Sequence, residues 1–400
     1  MHILMIAPEP FFEPRGTPFS EYHRICALIE LGHTVDLVTY PFGRDVEMAG
    51  LRVFRCVRPP LVRRVGIGPS LAKVPLDLSI AATALRRALT TRYDAVHSHE
   101  EGAAIGVALA AMLGLPHLYD MHSSLPQQLE NFKFSRSRLL RWTFERFERV
   151  AVRRSRVVIV ICAELERLVR EIAPASRPVL IENAPGAGTV VRGEGRDRLR
   201  AAYGIAPATP LVLYTGTFEA YQGLDLLFAA MRGVIAAVPD ARLLLAGGRP
   251  DQVAAARTAV AQLGLDAHVI FAGERPADEI PHFLDAADVL VSPRSRGTNT
   301  PLKIYQYLRA GRVIVATRLL THTQVLSDEV AILTDATPEG FAAGIVAAIR
   351  EPVRARALGA RAGALAETKY SYDAYLARTR EAVARLAPAA DAAPVPGGVA

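Results

Sequence analysis

Short apolar runs recur along the chain, and most are apolar at successive positions rather than at alternate ones. They are HILMIA (2–7), TVDLVTY (34–40), LRVFRCV (51–57), DAVHSH (94–99), PHLYDMH (116–122), RVVIVIC (156–162) and PVLIEN (178–183). A strand that is apolar on both faces must be covered on both faces, and helical segments between the runs supply the cover. The pattern therefore restricts the chain to parallel sheets wound by helices. Helices are expected from Pro18 to Leu31, with Thr17 as the cap, Pro18 opening and Gly32 closing, and from Gly102 to Leu113. The alternation stops at 184–195 (APGAGTVVRGEG), where glycines cluster. It resumes with LVLYTG (211–216), ARLLLAGG (241–248), HVIFAGE (268–274), ADVLVS (287–292), RVIVAT (312–317) and VAILT (330–334). The expected fold class is α/β, as two Rossmann-like doubly wound domains at 1–190 and 195–370. An amphipathic helix follows (371–387), and a tail of Ala, Pro and Gly (388–400) is expected to be disordered.

At 400 residues the chain exceeds one ordinary core, and with 50% apolar and 22% charged residues it is globular. Cys26, Cys56 and Cys162 are odd in number and lie inside apolar segments, which argues against a disulfide frame or a zinc site and for a reducing cytoplasm. The first apolar run is too short for a signal peptide, and no stretch approaches the roughly 20 apolar residues of a membrane span. A soluble or peripheral cytoplasmic protein is expected.

The formal charge is +7 and is unevenly placed. Between Asn131 and Arg156 lie Lys133, Arg136, Arg138, Arg141, Arg146, Arg149, Arg153, Arg154 and Arg156 against Glu145 and Glu148, a net of +7 in that segment alone. Phe132, Phe134, Leu139, Leu140, Trp142, Phe144 and Phe147 are interleaved with them. Two readings stand. The segment is an ordinary helix packed on the sheet with its arginines in water, or an interfacial helix on an anionic membrane. No base-reading motif accompanies the high pI, so nucleic acid is not an expected partner.

The strongest local signal is TNTPLKIYQYLRAG (Thr298 to Gly311), which follows the strand ADVLVSP and the basic loop RSRG. Pro301 suits the first helical position and Thr300 can cap it. The free N–H groups of such a helix start, beside Arg294, Arg296 and Lys303, suit a phosphate-bearing ligand. Gly16 and Thr17 follow the first strand. Gly216 and Thr217 follow the first strand of the second half, and Gly247 and Gly248 its second. Those positions belong to the carboxyl ends of both sheets, where open α/β folds bind ligands, and a cleft between the domains is expected there. His97 and His99 share a strand face, a spacing that can hold a metal, although a structural role is the more economical reading and no metal is expected. Asp120 shares the face of His122 and can orient it.

In order along the chain, PRGTPFSEYHRICALIELGHTVDLVT, DAVHSHE, LYDMHSS, IENAP, LYTGTFEAYQGLDLLFAAM, LLLAGG, VIFAGE, ADVLVSP, the TPLKIYQYLRAG helix and YSYDAYLARTREAV resemble the GT-B retaining glycosyltransferases of family 4. The resemblance covers nearly the whole chain. It implies a first domain that binds an acceptor, with the last helix crossing back to it, and a second domain that binds a nucleoside-diphosphate sugar (UDP, GDP or ADP) as substrate, with no cofactor and no metal. It places His122 near the donor sugar. Relatives usually carry two glutamates eight positions apart, one on the sugar and one on the ribose; the matching residues are Thr298, beside Asn299, and Gln306, whose amide can still meet a ribose. Relatives also place Arg and Lys where this chain has Thr217 and Gln222. Arg294, Arg296 and Lys303 then remain to neutralise the diphosphate, while strand-end geometry alone places the loop at Glu274 and Arg275 near the base.

The expected activity is retaining, metal-independent transfer of a sugar to an acceptor hydroxyl in cell-envelope glycan or glycolipid synthesis. The acceptor is a glycan or lipid-linked, and the site of action the inner membrane face. Two alternatives remain open. One is a non-catalytic nucleotide-sugar-binding or assembly subunit, motivated by Thr298 and Gln306. The other is a GT-B sugar epimerase, for which the sequence offers no pair of site carboxylates beyond Glu100 and Glu101.

Overall fold

The structure is a computed structural model that describes residues 1–12, 16–60, 62, 65, 70, 73–127, 137–182, 191, 193 and 195–386. The chain forms two compact units. One is Met1–Glu182 together with the chain from Tyr375 onward; the other is Asn183–Ala374. Most of the glycine-rich stretch at 184–195 and the whole of the 388–400 tail lie outside the described residues.

The first unit is built on a parallel sheet of β1 (His2–Ala7), β2 (Thr34–Thr39), β3 (Leu51–Arg55), β4 (Ala95–His99), β5 (His117–Met121), β6 (Val157–Val160) and β7 (Val179–Leu180), in the order β3-β2-β1-β4-β5-β6-β7. β1 shows why its residues are continuously apolar. Leu4 and Ile6 face one core with Val96, Leu76, Ile80 and Leu109, whereas Ile3 and Met5 face the other with Ile25, Leu28, Val35 and Val383. Each such burial contributes roughly 1.5–3 kcal/mol. Val383 belongs to the helix Tyr372–Ala384, which therefore covers part of this sheet.

The second unit has a parallel sheet of β8 (Leu211–Thr215), β9 (Arg242–Ala246), β10 (Val269–Gly273), β11 (Val289–Ser292), β12 (Val313–Thr317) and β13 (Ile332–Thr334), ordered β10-β9-β8-β11-β12-β13. Leu211 and Leu213 pack with Ile304 and Leu308 of the helix Leu302–Ala310, while Val212 and Tyr214 pack with Phe228 and Met231 of the helix Leu224–Ala237. In both sheets the strand order reverses direction beside the first strand of the unit, at β1/β4 and at β8/β11. Those reversals open the crevices in which α/β folds hold ligands.

Two helix starts differ from expectation. The first helix runs Gly16–Glu30, so Thr17 and Pro18 sit inside its first turn and Thr17 is not its cap. Proline is tolerated there because the first N–H groups of a helix have no intrahelical partner. The helix after β11 begins at Leu302. Pro301 occupies the cap position with extended φ −65° and ψ 134°, and no side chain caps it. Thr300 is buried and its Oγ1 has no partner, so its expected capping role is corrected. One helix unnamed in the sequence reading, Lys73–Thr90, buries Leu76, Ile80, Ala84 and Ala88 at four-residue spacing.

Candidate functional site

In the second unit, the loops after β8 and β11 are stitched together. The backbone N–H of Ser295 donates to the carbonyl of Tyr221 at 3.1 Å. Gly223, at φ +75°, passes so close to Pro293 that a Cβ would lie 2.0 Å from its carbonyl oxygen. The loop after β11 is pinned from its other side. Thr317 Oγ1 donates to Arg294 O at 2.6 Å, Thr321 Oγ1 to Asn299 O at 2.7 Å, and Gln324 Nε2 to Thr298 O at 2.6 Å. The imidazole of His322 bridges Ser292 Oγ (2.8 Å) and Thr317 O (2.8 Å) beneath it. Burial pushes this ring down to about 3, so it stays neutral, with Nδ1–H donating to Thr317.

Two cations converge on this frame. Lys303 is buried; its Nζ donates to Gln222 Oε1 at 3.2 Å and lies 3.8 Å from the centre of the Tyr214 ring. Arg294 lies over the Tyr221 ring at 5.0 Å and donates to the carbonyls of Arg296 (2.8 Å) and Asn299 (2.9 Å). Neither is paired with a carboxylate among the described residues. Burial, and then the Arg294 charge, hold the Lys303 ammonium well below its usual range. Gly216 adjoins the pair: a Cβ there would lie 3.7 Å from Lys303 Nζ. Thr217 contributes its carbonyl to the Tyr214 hydroxyl at 2.7 Å. Of the other expected residues, Gln306 lies half-buried one turn beyond Lys303, Arg296 is exposed, and Gly248 packs on Phe218. Glu274 is exposed after β10, and Arg275 folds back onto the Ala272 carbonyl at 2.8 Å. Tyr214, Tyr221, Thr317, Thr321 and His322 escaped the sequence reading, because each acts through contacts distant in the chain.

In the first unit, the ends of β4 and β5 gather a buried polar cluster. His97 and His99 stack at 4.6 Å, and His99 and His122 at 5.4 Å. His122 Nε2 lies 3.2 Å from His99 Nδ1 and 3.4 Å from Asp120 Oδ1. Asp120 Oδ2 accepts from Arg24 Nε at 2.9 Å and lies 3.6 Å from His97 Nε2. Burial alone would raise the Asp120 carboxyl, but Arg24 and the histidines hold it well below the usual range. Glu21 carries the opposite shift. Full burial, then Glu9, push its carboxyl well above the ordinary value. The sequence reading found no site carboxylates beyond Glu100 and Glu101. The structure adds Glu21 and brings Glu9, Glu100 and Asp120 within electrostatic reach of it. Glu21 has no exposed surface, however, so it cannot meet a sugar directly. Gly16 and Thr17 open the helix that carries Glu21 and Arg24. Donor atoms of His97, His99 and Asp120 lie within 4.8 Å of one another.

The helix Arg138–Arg154 is the described part of the basic segment; Asn131–Arg136 lies outside the described residues. It turns Glu148 inward to accept from Ser124 Oγ and the Leu125 N–H, and it leaves Leu139 (72%), Trp142 (59%) and Val150 (43%) exposed among its arginines. No helix among the described residues is long and apolar enough to cross a membrane.

Residues 22–184 match the family model described as a glycosyl transferase 4-like domain, and residues 209–351 match that described as glycosyl transferases group 1. Among curated relatives, a sulfoquinovosyl transferase of Arabidopsis thaliana is 25% identical over 79% of this chain and 59% of its own length. A 2-deoxystreptamine N-acetyl-D-glucosaminyltransferase of Streptomyces fradiae is 30% identical over 62% of this chain and 61% of its own. The chain thus spans about three fifths of the length of these two relatives. Of solved structures, a sucrose-phosphate synthase from Thermosynechococcus elongatus superposes with a TM-score of 0.78 at 20% identity, covering 96% of this chain and 98% of that one. Anabaena HepE in complex with UDP-glucose superposes with 0.70 at 17%, covering 96% and 99%. Two parallel, Rossmann-like sheets, two family matches that together take in most of the chain, and these likenesses agree: the chain belongs to the group 1 glycosyltransferases and has the GT-B fold.

Proposed function

We propose that the protein is a retaining glycosyltransferase that uses a nucleoside-diphosphate sugar. The observation that carries this is the pair Lys303, buried, and Arg294, half-buried, two cations in one frame without a carboxylate. Burying a charge without a counter-charge is costly, and an anionic ligand with two negative charges offsets that cost. A diphosphate fits, with Arg296 at the exposed edge, the Gly216–Thr217 turn admitting close backbone approach, and Gln306 one turn on for the ribose. Thr298, Asn299 and Thr300 line the loop on the sugar side. Gly248 and Glu274 follow the neighbouring strands, towards the base. The first unit binds the acceptor, with His122 as its candidate sugar contact.

The chemistry follows from charge. The acceptor oxygen bonds to the anomeric carbon on the face from which the phosphate leaves. The C1–O bond breaks, and the departing phosphate oxygen takes the acceptor's proton. Lys303 and Arg294 stabilise the charge that develops on that phosphate, which is the work a divalent ion performs elsewhere. HepE is solved with UDP and UDP-glucose, so uridine nucleotides head the donor candidates. The basic helix Arg138–Arg154, with Leu139 and Trp142 exposed, favours a lipid-linked or glycolipid acceptor met at the inner face of an anionic membrane.

A thermal-shift screen of UDP, GDP, ADP and their sugars tests the reading. One nucleoside diphosphate at about 100 times its dissociation constant should stabilise the protein by about 2.7 kcal/mol, and Lys303→Met with Arg294→Gln should abolish the shift. No shift with any nucleotide would sink the reading. A shift without slow donor hydrolysis or transfer would favour the non-catalytic subunit.

A further inference from the structure

The helix Tyr372–Ala384 stands at the far end of the chain from the first helix, yet it closes the buried cluster of the first unit. Arg24 Nη1 donates to Thr379 Oγ1 at 2.9 Å, and its guanidinium lies 4.8 Å from the centre of the Tyr375 ring. Thr379 Oγ1 in turn donates to the Tyr375 carbonyl at 2.9 Å, which fixes the direction of its lone pairs. On its other side Arg24 holds Asp120 Oδ2, while Asp120 Oδ1 lies at ion-pair distance, 3.4 Å, from His122 Nε2, which is also within hydrogen-bond distance of His99 Nδ1 at 3.2 Å. Arg24, Asp120 and Thr379 are at most 1% exposed. A buried ion pair is a weak source of stability, since an apolar pair of similar volume serves as well or better. It does impose geometry. A carboxylate facing Nε2 favours the tautomer whose proton is on Nε2, leaving Nδ1 as the acceptor.

We propose that Arg24, Asp120 and Thr379 are positioning residues: Thr379 and Tyr375 lock Arg24, Arg24 locks Asp120, and Asp120 holds His122 in one orientation and in its Nε2–H tautomer. The last helix is then part of the machinery of the first unit. This rests on the reading that His122 meets a sugar.

The charges around His122 make the idea testable. It faces Asp120 and His99, with His97 and Arg24 behind them; Glu21, Glu9 and Glu100 lie around the same cluster, and Tyr375 covers Arg24. Burial lowers the His122 ring most; Asp120 opposes this, and Arg24 and His97 add to it. Removing Arg24 therefore moves the ring back up towards its ordinary value of about 6.5. Removing the Asp120 charge moves it further down. Opposite shifts show that both charges reach the ring; the tautomer, and a fall in kcat at little-changed KM, separate positioning from a merely structural role.

The experiment is 15N NMR of histidine-labelled full-length protein, wild type and Arg24→Gln, Arg24→Lys, Asp120→Asn and Thr379→Val, titrated from pH 5 to 8. Hydrolysis of UDP-glucose, or of whichever nucleotide sugar gives the largest thermal shift, is followed in parallel. Expected are a single Nε2–H tautomer for His122 in the wild type, its partial loss in Arg24→Gln and Thr379→Val, and recovery in Arg24→Lys. The titration should move in opposite directions for Arg24→Gln and Asp120→Asn. Hydrolysis kcat should fall on the order of 10–100-fold in Arg24→Gln, with donor KM little changed. An unaltered tautomer in both Arg24→Gln and Thr379→Val, or titration shifts of the same sign, would overturn the proposal. Should Arg24→Gln not fold, Thr379→Val, which removes one hydroxyl, decides. Full activity of His122→Ala would instead refute its role at the sugar, while the tautomer measurement would still judge the positioning.

Discussion

Lys303 holds its ammonium 3.8 Å from the centre of the Tyr214 ring, a cation kept in the core by a π face and one amide oxygen, that of Gln222. Such a residue weakens the unliganded fold and serves the liganded one. Its folded-state pKa lies below the unfolded value, so protonation favours the unfolded chain and the buried ammonium lowers stability at pH values below the unfolded pKa. Lys303→Met should therefore raise the unliganded Tm by a few degrees, while transfer falls on the order of 10–1000-fold. Calorimetry beside a rate assay checks both; a lowered Tm or full activity would contradict the assignment.

Gly247 and Gly32 both have positive φ, +132° and +81°, but only Gly247 is enclosed. A Cβ on Gly247 would lie 2.0 Å from Gly216 O, whereas one on Gly32 would meet nothing within 4 Å. Gly32→Ala should cost about 1 kcal/mol from backbone strain alone. Gly247→Ala should cost at least about 3 kcal/mol, because the turn beside Lys303 has to move. Denaturant melts of the two variants make the comparison, and equal losses would show that the close approach is not needed.

His322 and His117 are each lowered to about 3 by burial. A histidine with a depressed folded pKa contributes stability that is complete above about pH 6.5 and is lost as pH falls towards 3, because the unfolded chain takes up the proton first. At pH 5 each should withdraw on the order of 2 kcal/mol. His322→Gln should flatten the fall in Tm between pH 7 and pH 5 relative to wild type; an equally steep fall would mean that this ring is not responsible.

The helix Arg138–Arg154 exposes Leu139 and Trp142 beside Arg138, Arg141, Arg146 and Arg149. Each arginine near an anionic bilayer contributes roughly 1 kcal/mol. The protein should sediment with vesicles containing anionic lipid and not with neutral ones, and Arg138→Glu with Arg141→Glu should weaken binding at least about tenfold. Trp142→Ala should reduce binding without changing its salt dependence. Indifference to lipid charge would leave a soluble acceptor as the better reading.

The strands were legible because a parallel strand covered on both faces must be apolar at successive positions, as Leu4 and Ile6 against Ile3 and Met5 illustrate. The loop residues Gly216 and Arg294–Thr300 were legible because they follow such strands directly. Helix starts were less so. Proline and threonine mark a turn without deciding which residue first adopts helical angles, and Pro301 and Thr17 fell on the unexpected side of that boundary.

By itself, then, the sequence determined the wound α/β architecture and where its strands end, since both depend on periodicity within a few residues. Only the tertiary structure decided that Lys303 lies buried against Tyr214, that Thr317 and His322 brace the Arg294 loop, and that Thr379 reaches Arg24. The reason is physical. Periodicity is a property of neighbours along the chain, whereas burial and pairing arise when segments far apart in sequence share a dry interior. In that interior a charge must find whatever partner the packing brings, and the Arg24–Asp120 pair did so across 96 residues of chain.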